Sequence, residues 1–326
     1  MPVNAVTRVY RNGVLESDTA RLEDVDVYLQ QGDALVWVDL IHPTAPELHA
    51  LAEELGVHEL ALEDVLSPHE RPKLDVYEHH LFFSCHAMTL DCENWRLNEC
   101  EIDVLVGDRW LVTVRKDESV SLRSLADRAA QSPKLMRHGV NFLFYGLLDH
   151  VIDQYFDVVA AFEDYYDEVS DGIFGDEPLN PTQQRRWFVM RQALVRFHRL
   201  AVPLREALSG VMRRNGEGIA SDLYPYFQDA YDHILVVGEA TDSLRELVGT
   251  IIETNISLRD YHQNMAMKKV TSWAAIIAVP TLVSGYYGMN VPYPGYGQYS
   301  GVVASAGLIV FLSGGLFAVF RRKDWI

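Results

Sequence analysis

The chain has 326 residues, 48% of them hydrophobic, and its 46 acidic residues against 28 basic ones give a formal net charge of −18. A surface so rich in carboxylates repels polyanions and excludes nucleic acid as a partner, whereas it tolerates cations, even though most single carboxylates are only solvated. The length leaves room for a folded soluble domain beside a membrane segment.

The N-terminal stretch MPVNAVTRVYRNG has no apolar signal core, which argues against secretion and for a cytoplasmic soluble part. Residues 34–39 read as a buried strand, and 45–55 as a helix that Gly56 ends. Residues 74–77 and 81–88 read as strands, and 101–106 with 110–114 as a hairpin turning at Gly107-Asp108. A helical run over 119–130 completes an α/β domain over residues 1–138. Cys85, Cys92 and Cys100 are odd in number, and their spacing to His79, His80 and His86 matches no compact zinc finger. A buried strand is the better reading of that stretch.

Residues 139–220 turn helical, and their charge segregates. The stretch 149–171 holds eight acidic residues, beginning at Asp149, and no Lys or Arg, while 185–214 holds eight arginines against the single Glu206. Gly172, Gly175, Pro178 and Pro181 separate them. Two helices of opposite sign most simply form an antiparallel hairpin; two solvated faces that never meet are the alternative. A stalk helix follows over 221–269 with no convincing stop, so one helix can run from Asp222 to Gly285, about 95 Å at 1.5 Å per residue. Such a helix cannot bury itself in a monomer and implies an oligomer.

Between Lys269 and Arg321 no residue is charged. Residues 270–289 and 300–320 are each long enough to cross about 30 Å of hydrocarbon. The loop between them, 290–299, carries the helix breakers Pro292, Pro294, Gly295 and Gly297. Lys268-Lys269 before the first span and the basic tail 321–326 after the second place both ends in the cytoplasm by the positive-inside rule, with the loop outside. This is a two-span protein of the cell membrane, in contact with lipid.

Steps of three and four residues back from the loop place Gly288, Gly285, Thr281, Ala278, Ala274, Thr271, Met267 and Asn264 on one face of the first span. A 3.5-residue period is that of parallel helices around an axis, so this small, weakly polar and uncharged face can line a pore. Ordinary packing through small residues is the alternative. Trp273, Ile276, Ile277, Leu282, Val283 and Tyr286 point elsewhere, towards lipid or the second span. At the outer end Asn290 would repeat by symmetry as a ring of neutral amide dipoles. Mg2+ sheds its waters reluctantly, so amide and backbone oxygens could hold the hydrated ion through them.

Leu62-Glu63-Asp64-Val65-Leu66 with Arg71-Pro72-Lys73, the segment Tyr226-Phe227-Gln228-Asp229-Ala230-Tyr231-Asp232-His233, and Tyr287-Gly288-Met289-Asn290 together carry a resemblance. The chain resembles the CorA family of divalent-cation channels, the two-span Gly-Met-Asn proteins, over essentially its whole length. The resemblance implies an α+β membrane protein with an N-terminal αβα cytoplasmic domain. Its stalk helix continues into the first of two C-terminal spans, and the copies assemble as a funnel-shaped homopentamer. It implies Mg2+ as transported and regulatory ion, with Co2+ and Ni2+ as further passengers. Gly288, Met289 and Asn290 would form the selectivity filter, Thr281 a polar ring, and Met267 and Asn264 the cytoplasmic end of the pore. Regulatory Mg2+ would sit between subunits on Asp64 and Asp229, with Glu63 close by and Asp149 as an addition.

Two departures stand out. The loop lacks the acid that many members carry after the motif, and Ala278 replaces a bulky methionine constriction, leaving the hydrophobic gate to Met267 and Val270. One competing reading is a ZntB-like transporter of Zn2+ coupled to protons, against which the intact Gly-Met-Asn leans. Another is a membrane-anchored signalling or scaffold protein. No phosphate loop, nucleophile elbow or zinc-protease motif points to an enzyme.

Overall fold

The computed structural model describes residues 5–68, 71–173, 181–213 and 221–326. Gly175, Pro178 and Arg214, named above, lie outside them. The chain divides into a first unit reaching to Gly249 and a second over Thr250–Ile326.

The first unit opens with β1 (Ala5–Arg11) and β2 (Val14–Ala20). Asn12 and Gly13 join them at φ 51° and 80°, the left-handed pair that a two-residue hairpin turn requires. Then come α1 (Val25–Gln30), β3 (Ala34–Ile41), α2 (Ala45–Leu55) and α3 (Glu59–Leu66). Thr44 donates its N–H to Glu47 at 2.7 Å, fixing the start of α2, and Gly56 ends it in the left-handed region at φ 67°. The strands β4 (Lys73–Val76), β5 (Leu81–Asp91), β6 (Arg96–Val106) and β7 (Trp110–Arg115) complete a seven-stranded sheet in the order β2-β1-β3-β7-β6-β5-β4. Only β3 and β7 pair in parallel. β3 is buried along all but its last residue, as the centre of such a sheet must be.

Alternation along the strands separates two faces. Val36, Val38 and Leu40 pack with Leu48 and Leu51 of α2 and Ala61, Leu62 and Val65 of α3. On the other face of β3 and β7 lies a buried polar network. Trp37 Nε1–H donates to Thr113 Oγ1 (3.2 Å), the Thr113 hydroxyl donates to Asp39 (2.8 Å), and Arg115 holds both Asp39 oxygens (3.1 and 2.7 Å). After α4 (Arg123–Gln131) and α5 (Pro133–Met136), the long helices α6 (Val140–Ile173) and α7 (Pro181–Arg213) supply the layer opposite α2 and α3. Tyr155 of α6 donates its hydroxyl to the His86 carbonyl (2.5 Å), and Phe144 meets Phe83 edge to face at 5.2 Å. The result is an αβα sandwich.

Arg196 of α7 binds both oxygens of Glu99 on β6 (3.0 and 2.8 Å), so this arginine of the basic run answers an acid of the sheet. Cys85 and Cys100 are buried on β5 and β6. Burial pushes both thiols up, Cys100 to about 11, which disfavours the thiolate a metal would need. Among the described residues, no cysteine joins a group able to hold a metal.

The helix α8 (Tyr224–Tyr287) belongs in part to each unit, and α9 (Tyr299–Arg322) lies in the second. Among the described residues these two are long and apolar enough to cross a membrane.

Candidate ion pathway and cation-sensing acids

In the second unit α8 presents two kinds of face. Ser272 and Val283 are buried, and Met265, Ala275, Ile276, Val279 and Tyr287 are half-buried. On α9, Gly301 is buried and Ser305, Ile309, Ser313, Leu316 and Phe320 are half-buried at the same helical spacing. Two helices packed along one stripe each produce this pattern. Asn264, Met267, Val270, Thr271, Ala274, Ala278, Thr281 and Gly285 are all exposed. The uncharged stripe is therefore left free by α9. Trp273, Ile277, Leu282 and Tyr286 are exposed beside it, whereas Val283 and Ile276 fall on the shielded side.

Within the stripe, Thr281 donates its hydroxyl to the Ile277 carbonyl (3.1 Å), and its oxygen keeps lone pairs for a hydrated ion. Pro280 lacks an N–H, so the Ile276 carbonyl has no helical donor four residues on. At the cytoplasm-side end expected from the charges, Lys268 and Lys323 each place Nζ over the Trp325 ring at 5.9 and 5.7 Å, and Phe320 stacks on it at 5.6 Å. Such an aromatic–cation cluster suits a membrane–water interface.

Helix α8 ends at Tyr287, so Gly288, Met289 and Asn290 lie beyond the helix that was expected to extend to residue 289. Gly288 N–H bonds to the Ser284 carbonyl (2.8 Å) and Met289 N–H to that of Tyr286 (3.3 Å), which tightens the last turn. The Tyr293 hydroxyl then donates to the Tyr287 carbonyl at 2.9 Å. Its ring meets Tyr287 at 4.9 Å and Tyr296 at 5.3 Å. Exposed Asn290 thus sits on a short arc whose two ends are tied together. Behind the arc, a Cβ on Gly301 would stand 2.5 Å from the Gly295 carbonyl oxygen, so only glycine fits that approach.

In the first unit the acids form two groups. Asp64 projects from α3 between the buried Leu62 and Val65 and pairs with Lys73 Nζ at 2.8 Å; Glu63 beside it is exposed. The C-terminal end of α3 is held from the sheet. Lys116 Nζ donates to the Val65 carbonyl and pairs with buried Asp103 at 2.9 Å.

The second group joins α6 to α8. Asp149 is buried, accepts from the Tyr145 hydroxyl (3.2 Å) and pairs with Arg128 of α4. Asp149, Asp153 and His233 bring ligand atoms within 4.8 Å of one another. His233 meets Phe156 edge to face at 5.5 Å and lies 3.8 Å from Asp229. Desolvation, helped by Asp149, pushes the Asp153 carboxyl up, and burial pushes His150 down. The carboxylates are hard oxygen donors that fit Mg2+; the imidazole is a donor that Co2+, Ni2+ or Zn2+ accept more readily.

Sequence reasoning singles out Asp64, Asp149 and Asp229 but does not give Lys73, Arg128, Asp153 and His233 as their neighbours. The four-residue spacings Asp149–Asp153 and Asp229–His233 were the available signal.

Comparison with known proteins places the chain in one family. The cobalt/magnesium transport protein CorA of Thermotoga maritima is 26% identical over 297 residues, covering 89% of this chain and 83% of that protein. The complete structure of the CorA magnesium transporter from Methanocaldococcus jannaschii matches with a TM-score of 0.78 at 21% identity, covering 100% of both chains. The ZntB cytoplasmic domain from Vibrio parahaemolyticus matches at 0.55 and 14% identity, over 78% of this chain and 99% of that one. At these identities the structural likeness speaks for the fold alone. Residues 32–322 match the family described as CorA-like Mg2+ transporter protein, whose members are transporters rather than enzymes, and the chain belongs to that family.

Proposed function

We propose that the protein takes up Mg2+ across the cell membrane, down the membrane potential, through a pore formed by α8 in a homopentamer. Co2+ and Ni2+ would be further passengers. The observation that carries this reading is the exposed, uncharged stripe from Asn264 to Gly285, which leads to Asn290 on its tied arc. Neutral oxygens at Asn290 and Thr281 can hold a hydrated divalent ion without trapping it. A divalent ion gains roughly 4.6 kcal/mol per 100 mV, so no pump is needed. Both termini face the cytoplasm in this reading. Asp64, Asp229 and Asp149, with Glu63 nearby, bind intracellular Mg2+ between subunits and hold the pore closed; when they empty, repulsion between acidic copies favours opening.

The test is Mg2+ entry into proteoliposomes under an inside-negative potential without a pH gradient. Entry by the wild type that collapses in Asn290→Ala supports the reading. No wild-type entry by folded, inserted protein at low internal Mg2+ refutes it. The imidazole of His233 beside Asp149 and Asp153 favours a second reading, Zn2+ transport, for which flux would depend on a pH gradient.

A further inference from the structure

The carboxylate of Asp64 already has a cation. Lys73, the first residue of β4, places Nζ 2.8 Å from Asp64 Oδ2 and 3.0 Å from Asp75 Oδ2. Its position is built. Pro72 before it is buried, β4 is registered on β5 with Lys73 opposite Ser84, and Nζ lies 5.2 Å from the ring of fully buried Phe82. Lys73 is 33% exposed and Asp64 25%, so the pair is partly withdrawn from water but open to an ion. Burial works against the ammonium, yet the hydrogen bonds and charges of Asp64 and Asp75 raise its pKa on balance.

We propose that Lys73 is the resident counter-ion of the Asp64 sensor and makes that sensor answer to divalent rather than monovalent cations. The proposal rests on the reading of Asp64 as a sensing residue. A free K+ carries the same charge as the ammonium but must compete with a group tethered beside the carboxylate, whose effective concentration is high. At equal distance Mg2+ interacts with Asp64 twice as strongly as a monovalent ion does. Its hydration shell lengthens that distance, but in the proposed shared site it also meets Asp229 of a neighbouring copy, so it can displace Lys73 where K+ cannot. The displaced ammonium keeps Asp75 as its partner, so the exchange costs little. Lys73 thus raises the Mg2+ level at which the sensor fills and screens it from the monovalent background.

The experiment measures the Mg2+ concentration giving half-maximal closure of flux. In parallel it measures the concentration giving half-maximal protection of the full-length protein against thermal unfolding. Both are run in K+ and in a bulky organic cation at equal ionic strength, so that general screening is constant. Lys73→Met should lower both midpoints about threefold, within the range of an ion pair of this exposure, and make them rise with K+. Lys73→Arg, which keeps the charge, should stay near the wild type and indifferent to K+. Lys73→Gln serves as the neutral variant should Met not fold. Asp64→Asn tests the underlying reading separately. A shift in Asp64→Asn with wild-type midpoints and K+ indifference in Lys73→Met overturns the counter-ion role alone. Unchanged Mg2+ sensitivity in Asp64→Asn removes the sensor, and this proposal with it.

Discussion

The arc that carries Asn290 is closed by one hydroxyl, so Tyr293→Phe is a one-atom test of whether that closure matters. The Tyr293 hydroxyl donates to the Tyr287 carbonyl at 2.9 Å, one of the acceptors that a helix end leaves without a helical donor. Phenylalanine keeps the ring contacts with Tyr287 and Tyr296 at 4.9 and 5.3 Å and loses only the bond. A net loss of about 1 kcal/mol is expected for such a bond. If Asn290 binds ions only while the arc is closed, the apparent dissociation constant rises as the closed fraction falls, up to about fivefold. Tyr293→Leu removes the ring pairs as well, each worth about 0.5–1.5 kcal/mol, and should impair entry further.

The assay is the initial rate of Mg2+ entry against external Mg2+ at fixed potential, with oligomeric state checked by size-exclusion chromatography. A raised half-saturating concentration in the Phe variant, larger in the Leu variant, supports the argument. A Phe variant with wild-type half-saturation and maximal rate, beside a crippled Leu variant, refutes the role of the hydrogen bond and leaves ring packing as what holds the arc.

Removing the Arg128 guanidinium in Arg128→Gln should leave buried Asp149 uncompensated beside Asp153, costing about 1–2 kcal/mol once the partial exposure of Arg128 is discounted. Thermal unfolding of the full-length protein without divalent ions should begin lower, with a larger recovery on adding Mg2+ than in the wild type. Equal recovery in both would contradict it. Burial of Asp103 pushes its carboxyl from 3.8 up to about 6, even with Lys116 opposing, so the folded chain holds this proton more tightly than the unfolded one. Its contribution, about 3 kcal/mol, is fully present below pH 3.8 and lost as pH rises through 6. Across that window, wild-type melting temperature should fall relative to Asp103→Asn; parallel profiles would remove Asp103 from the account.

The elements that could be read in the sequence are those whose own residues specify them. β3 and α2 were legible from an unbroken apolar run and from Gly56, and the spans from a long stretch without charge. β2 was not, because an edge strand reading VLESDTA is mostly exposed and has no apolar face to betray it. The turn beside it is legible: Asn-Gly between two alternating segments is a hairpin signal, and both residues adopt positive φ. α3 spans only eight residues, too few for its buried Ala61, Leu62 and Val65 to stand out as a helical period in the sequence.

The stripe on α8 and the candidate sensing acids differ in the same way. A stripe is a property of one helix, and its period is written in the order of its residues. Ion pairs are properties of the fold: Asp149 meets Arg128 from α4 and His233 from α8, and Asp64 meets Lys73 from β4. A count of eight acids facing eight arginines suggests that opposite runs neutralise each other, yet Arg196 answers Glu99 on the sheet, 97 residues away. Where charge compensation is tertiary, net charge says little about any one carboxylate. The division also has a chemical sense. In the proposed reading, ions that pass would meet neutral oxygens in the stripe, whereas ions that are sensed would meet carboxylates already balanced by Lys73 and Arg128. A sensor balanced in this way would fill only when a divalent ion outbids an internal cation, and so would have a threshold that bare carboxylates lack.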